Sequence, residues 1–262
     1  MIPKVIHYCW FGRNPKPELV QNCIASWKKF CPDYEIIEWN EDNFDVNYCK
    51  FTEEAYKAKK WVFVADVARL VAVYENGGIY LDTDVELKSS LDDLLQYDAW
   101  FAQLDIRYIH TGLGFGAVKG NDILKELIDA RRLISFDGIA CHVIETPIIK
   151  NFLNYKLSRN SQIIQNVLII GMDNYGAYAK HWESNSWMDN DTKVILAHRR
   201  QKSRLWKIKR FLRNPSVMSY LERNGETKVS NIYIFLVYDF LDNGPRYYIK
   251  RLAKKVRNKI NG

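Results

Sequence analysis

Apolar residues recur along this chain in two periods. Val5–Trp10 is a nearly continuous apolar run that predicts a buried first strand, and Val20, Cys23, Ile24 and Trp27 fall at i, i+3, i+4 and i+7, one stripe of a helix ending before Pro32. Tyr34–Trp39 alternates as a second strand would. Thr52 is placed to cap a helix through EEAYKAKK, and Val62–Tyr74 predicts a longer helical stretch stopped by Asn76-Gly77-Gly78. Ile79–Leu81 then reads as a strand, Asp82–Asp84 as a turn and Val85–Leu87 as a further strand. Strands are also expected at Ala99–Leu104, Leu113–Val118, Gln162–Ile170 and Lys193–Ala197, with helices at Asp122–Ser135 and Thr146–Lys156. This alternation implies an α/β sheet covered on both faces. No internal repeat or low-complexity linker interrupts it.

Composition narrows the class. With 262 residues, 47% of them hydrophobic, the chain has enough apolar material for one large core. Five cysteines (Cys9, Cys23, Cys31, Cys49, Cys141) form no C-x-x-C pair and make an odd count, which fits neither a disulfide framework nor a zinc site, so they read as small buried hydrophobes in a reducing cytoplasm. The first apolar stretch contains His7 and runs into Gly12-Arg13-Asn14-Pro15 with no small-residue cleavage site, which reads as a strand rather than a secretory signal. The longest apolar run, Ile232–Leu241, includes Asp239, whereas a spanning helix takes roughly 20 apolar residues.

Charge divides the chain. Of the 38 Lys and Arg, eight lie in His198–Arg213 and seven in Arg246–Lys259, two segments with no acidic residue; the other 23 face 31 Asp and Glu. A catalytic body over 1–197 and a basic extension over 198–262 are expected.

The candidate chemistry sits in NGGIYLDTDVE, residues 76–86, where an apolar strand runs directly into Asp82 and Asp84. A D-x-D alone is weak, since the chain's aspartates make about one by chance and Asp189-Asn190-Asp191 is another, in a polar stretch that reads as a solvated turn. Ligands of open α/β sheets gather at the carboxyl ends of strands, so two carboxylates there are placed to hold a hard divalent cation carrying substrate phosphates. The competing readings are a plain turn cap and a haloacid-dehalogenase-like phosphatase with Asp82 as nucleophile; Glu86 at the motif's fifth position, and the late place of the motif in the chain, count against the phosphatase.

The surroundings add more. In FVADVARLVAVYENGGIYLDTD, Asp66 and Arg69 lie three apart on one helix face, and Tyr80, Asp82 and Asp84 alternate across the strand and turn. This constellation with Gly77-Gly78 resembles the sugar-binding region of the family-32 glycosyltransferases. The opening IPKVIHYCWFG resembles that family's first strand, and AYAKHWESNSW resembles its late motif ending in Ser186-Trp187, with Trp182 where relatives often carry a second His.

The resemblance implies a GT-A fold, Mn²⁺ or Mg²⁺, and transfer of a hexose from a nucleotide-sugar with retention of configuration. It implies that Asp84 binds the metal and that Asp82 contacts ribose, sugar and metal-bound water, these two being the catalytic pair. His181 becomes a further metal or diphosphate contact. Trp10 is a platform for the base, Asp66, Arg69 and Tyr80 belong to the nucleotide-sugar pocket, and Ser186 and the Trp187 indole N–H donate to the diphosphate. UDP-galactose or UDP-glucose is the expected donor, with GDP-mannose and N-acetylhexosamine donors open. No residue stands out as a nucleophile for double displacement, which favours a front-face transfer. The glycine-rich GLGFGAVKG at 112–120 lacks both G-x-G-x-x-G and a Lys-Ser/Thr ending; a loop shaping the sugar and acceptor pocket is expected, with His110, Thr111 and a Glu145-Thr146-Pro147 turn nearby.

In RYYIKRLAKKVRNKI, Ile249, Leu252, Ala253, Val256 and Ile260 recur at helical spacing among Lys and Arg, the pattern of a helix lying on an anionic membrane surface. The expectation is a cytoplasmic enzyme, peripheral on the inner face of the cell membrane, that extends a lipid-linked glycan in bacterial capsule, O-antigen or exopolysaccharide assembly. Nucleic acid is not expected as a partner, because the tail has no recognisable binding motif and the body is acidic. A non-catalytic membrane-surface glycan-binding module is the non-enzymatic alternative.

Overall fold

The computed structural model describes residues 1–182, apart from 104, 106, 137–139 and 157. The strand expected at Lys193–Ala197, Ser186, Trp187 and the basic extension lie outside the described residues.

A seven-stranded mixed sheet flanked by helices forms the body. Its strands are β1 (Val5–Cys9), β2 (Glu35–Trp39), β3 (Gly78–Tyr80), β5 (Ala99–Ala102), β6 (Phe115–Ala117), β7 (Gln162–Ile164) and β8 (Val167–Ile170), in the order β2-β1-β3-β6-β5-β8-β7. β1 runs parallel to β2 and β3, β5 runs parallel to β8, and β6 is antiparallel to both neighbours. A second, two-stranded sheet pairs β4 (Val85–Leu87) with β9 (Ala179–His181). The helices are α1 (Glu18–Phe30), α2 (Lys50–Lys57), α3 (Trp61–Asn76), α4 (Asp122–Arg132), α5 (Cys141–Leu153) and α6 (Met172–Tyr178). The α/β expectation holds.

Two helices place the D-x-D turn. α1 buries Val20, Cys23 and Trp27 of the stripe its spacing predicts and leaves Ile24 half-buried, and the Trp27 indole donates to Val85 O at 2.7 Å while Ser26 Oγ accepts from Leu87 N at 2.9 Å. Helix and β4 are thereby clamped together just beyond Asp84. α3 shows no narrow apolar stripe because ten of its sixteen residues are buried, Asp66 and Arg69 included. It ends at Gly77, whose carbonyl meets His7 Nε2 at 2.8 Å. Gly78 has φ +108°, and a Cβ there would lie 2.8 Å from Val5 O, so only glycine lets the chain turn tightly enough to pair β3 with β1.

Several expectations are corrected. Thr52 is not the cap of α2: Cys49 is, and Thr52 sits three residues in, its hydroxyl accepting from Cys49 N at 3.1 Å. Gln162–Ile170 is not one strand but a hairpin, because Gln165 and Asn166 both take positive φ and reverse the chain. GLGFGAVKG is not chiefly a pocket loop: its middle is β6, in the centre of the sheet, and only its first residues reach the site. The helix expected at Thr146–Lys156 begins earlier, at Cys141, so Glu145-Thr146-Pro147 is helix interior rather than turn. An interior proline costs about 3 kcal/mol; burial of the apolar Cys141, Ile149 and Leu153 in α5 works against that cost. Four of the cysteines are buried and Cys49 is half-buried, all five free. No helix among the described residues is long and apolar enough to cross a membrane.

Candidate functional site

β1, β2 and β3 are parallel neighbours, so Trp10, Asn40 and Asp82, each just past its strand, emerge at one edge of the sheet. Asp82 and Asp84 flank a tight turn closed by Val85 N donating to Asp82 O at 3.0 Å. The β4–β9 ladder sets His181 opposite Val85 and lets Trp182 N donate to Asp84 O at 3.0 Å. His181 Nε2 then lies 3.1 Å from Asp84 Oδ1. Ligand atoms of Asp82, Asp84 and His181 all fall within 4.8 Å of one another. Two carboxylates and one imidazole at that spacing suit a divalent ion, Mn²⁺ better than Mg²⁺ because of the nitrogen ligand. The side chains are recessed but reachable, 25% exposed for Asp82, 15% for Asp84 and 16% for His181.

Behind this cluster lies a buried charge relay. The Arg69 guanidinium pairs with Asp66 on its own helix, stands 3.5 Å from Asp82 Oδ1 and stacks over the Tyr80 ring at 5.1 Å. The Tyr80 hydroxyl donates to Asp82 Oδ1 at 2.8 Å. Burial pushes the Asp82 pKa up, Arg69 pulls it back, and Asp84 pushes it up again. One cation thus serves two carboxylates while Asp84 crowds a second negative charge against Asp82, an arrangement that a bound divalent cation would relieve.

Trp10 stands apart from the carboxylates, half-buried at the mouth of a cavity of about 270 Å³ lined also by Arg13, Asn14, Lys16, Glu38, Asn40 and Glu41. Its indole N–H donates to Asn14 O at 2.7 Å, which fixes the ring. The structure therefore brings Asp66, Arg69, Tyr80, Asp82, Asp84 and His181 into one connected group and sets Trp10 beside a separate hollow.

Loop residues join the group from the far side. His110, in the turn before a short 3-10 helix (Thr111–Leu113), has its ring 6.4 Å from that of His181 and stacked at 5.1 Å on that of His142 in α5. Burial holds the His110 pKa down to about 3. Tyr175 in α6 donates to Leu113 O at 2.8 Å, and its hydroxyl is pushed up by burial and by Asp82 and Asp84. His142 and Tyr175 carry no sequence signal of their own. Tyr175 is found only by noting that α6 precedes the AYAKH strand.

Comparison with known proteins agrees with the carboxylate group. Residues 17–101 match the family described as glycosyltransferase sugar-binding region containing DXD motif. Inositol phosphoceramide mannosyltransferase 3 of Schizosaccharomyces pombe is 32% identical over 131 residues, 48% of this chain and 36% of that protein. Inositol phosphoceramide mannosyltransferase 2 of the same yeast is 27% identical over 214 residues, 75% of this chain and 61% of the relative. The chain spans between 36% and 65% of the length of the curated yeast relatives it matches. Among solved structures, the PaToxG glycosyltransferase aligns with TM-score 0.48 at 17% identity, over 58% of this chain and 70% of that one. The segment that holds Asp66, Arg69, Tyr80, Asp82 and Asp84 is thus similar to the DXD-containing sugar-binding region of glycosyltransferases.

Proposed function

We propose that this protein is a metal-dependent, retaining glycosyltransferase that moves a hexose from a nucleotide-sugar to a lipid-linked acceptor. The observation that carries the reading is the convergence of Asp82, Asp84 and His181 within 4.8 Å, with Asp82 and Asp84 inside the segment that matches the DXD family. Asp84 and His181 would hold the ion with Asp82. An ion there supplies a Lewis acid for the leaving diphosphate, whose negative charge grows as the glycosidic bond breaks. Arg69 and Tyr80 hold the Asp82 carboxylate in place, and Asp66, pinned by Arg69, is set to accept from sugar or ribose hydroxyls. Trp10, which lines a hollow of its own, would carry the base by stacking.

The donor class is a nucleotide-hexose. Mannosyl donors stand beside UDP-glucose and UDP-galactose, because the curated relatives are named as mannosyltransferases. Their names also speak for a lipid acceptor, inositol phosphoceramide, so a glycolipid or a lipid-linked bacterial glycan both fit a lipid-borne hydroxyl. Attachment to an anionic membrane surface through the basic segments of 198–262, on the cytoplasmic side, is part of the same reading and rests on sequence charge. The phosphatase alternative needs a free Asp82 nucleophile. That carboxylate is instead engaged by Tyr80 and faced by Arg69.

The test is release of nucleoside diphosphate from a panel of UDP- and GDP-hexoses with Mn²⁺, for the native chain and Asp84→Ala. Mn²⁺-dependent release that Asp84→Ala abolishes is the expected result. Release of inorganic phosphate instead, or of neither, would reject the transferase.

A further inference from the structure

His110 is tied down on every side yet keeps one polar atom to spare. Its backbone N–H donates to Ala102 O at 3.0 Å, and its carbonyl accepts from Leu113 N at 3.0 Å. Its neighbour Ile109 exchanges two bonds with the Thr146 hydroxyl, each 3.1 Å, and Thr111 Oγ1 donates at 2.7 Å to Glu145, which is paired with Arg131 in the core. The loop is therefore held in place before any ligand arrives, which is what a binding donor needs if its geometry is to cost nothing at the moment of contact.

The imidazole itself is oriented. Gly112 N donates to His110 Nδ1 at 3.1 Å, so the Nδ1 lone pair is in use and the ring is neutral with its proton on Nε2. Gly112 must be glycine for this: a Cβ there would lie 2.5 Å from Asp82 Oδ2 and 2.6 Å from His110 Cε1, so the loop is packed directly on the candidate metal ligand. Among the described residues no hydrogen-bond acceptor takes the Nε2 proton.

The same hydrogen bond decides between two readings of the neighbourhood. Ligand atoms of His110, Cys141 and His142 also fall within 4.8 Å of one another, the make-up of a zinc or other soft-metal site. With Nδ1 occupied by Gly112 and Nε2 protonated, His110 has no lone pair for a metal. It is a donor, fixed in a loop that packs on Asp82 of the carboxylate cluster.

We infer that His110 donates its Nε2–H to a hydroxyl oxygen of the donor's sugar, making it a sugar-binding residue of the proposed transferase site. The diphosphate charge would be answered by an ion held by Asp82, Asp84 and His181. The His110 loop packs on Asp82 Oδ2, the carboxylate expected to contact sugar and ribose, and a neutral N–H there matches a sugar hydroxyl, which Asp66 can complement only as an acceptor. This inference rests on the function proposed above.

Isothermal titration in Mn²⁺ separates the two claims. The probes are UDP, UDP-glucose, GDP and GDP-mannose; the proteins are the full chain, His110→Phe, His110→Gln and Asp84→Ala. His110→Phe is expected to weaken the nucleotide-sugar about tenfold and leave the matching nucleoside diphosphate within about twofold, the loss of one neutral hydrogen bond. His110→Gln, which keeps an N–H at a similar reach, is expected to recover the sugar-dependent part to within about threefold. Equal weakening of sugar and diphosphate in His110→Phe, no weakening at all, or no recovery in His110→Gln would overturn the assignment. Unchanged binding in Asp84→Ala would instead sink the metal–diphosphate reading, and failure of the native chain to bind any probe would sink both.

Discussion

Asp84 Oδ1 and His181 Nε2 stand 3.1 Å apart because β9 returns to pair with β4, the strand that follows the D-x-D turn. If this pair and Asp82 grip Mn²⁺, a ligand that binds only the folded chain raises its melting temperature by mass action. Asp84→Ala should abolish the Mn²⁺-induced shift in differential scanning and lower transfer by at least about a hundredfold, on the scale of losing an ion's charge stabilisation. His181→Ala should reduce the shift while leaving part of it, since two carboxylates remain. An undiminished shift in Asp84→Ala would place the ion elsewhere.

Arg69 pairs with the buried Asp66 and faces the partly exposed Asp82. Arg69→Met leaves Asp66 and Asp82 uncompensated and should cost about 3–5 kcal/mol of stability in urea unfolding with EDTA present. The loss should depend on pH. Burial already holds the Asp82 pKa above its ordinary value, and Arg69 limits that rise. A carboxylate with a raised folded-state pKa destabilises the fold where it is ionised, so this penalty grows as pH rises through the folded pKa and fades below it. Without Arg69 the rise is larger, and the deficit should be greatest near neutrality and shrink as the pH falls. A deficit that grows in acid would contradict the relay.

Gly78 and Gly176 give opposite expectations for one substitution. At Gly78, φ is +108° and an added Cβ meets Val5 O at 2.8 Å, so Gly78→Ala should cost about 2 kcal/mol or more. At Gly176, inside α6, nothing lies within 4 Å of an added Cβ, and Gly176→Ala should stabilise by about 0.5–1 kcal/mol through helix propensity. Denaturant midpoints measure both.

Trp10 tests the separate hollow that it lines. If its face carries the base, Trp10→Ala should weaken nucleoside diphosphate binding about five- to a hundredfold, the range that loss of one stacked base spans. It should leave Mn²⁺ binding unaltered. Calorimetry that finds the nucleotide affinity unchanged would assign the cavity to something else.

The basic extension should carry the full chain to the top of a flotation gradient with anionic vesicles at low salt and release it at high salt, as screening shortens the reach of the charges. A chain that stays at the bottom in both conditions has no electrostatic membrane attachment.

Local chemistry was legible in the sequence. The i, i+3 spacing of Asp66 and Arg69, the Asn-Gly-Gly stop and the run of β3 into two aspartates depend on near neighbours, and the structure keeps each of them. Gln165-Asn166, a polar pair between two apolar runs, is the local sign of the hairpin at Gln162–Ile170. What pairs with what was decided only by tertiary structure. β6 entering the sheet between β3 and β5, β9 carrying His181 to Asp84, and Gly112 packing His110 onto Asp82 all join segments far apart in the chain. The physical reason is that hydrophobic periodicity says which face of an element is buried, never against which partner, and a polar side chain shows its role only when the fold has set another charge or donor beside it.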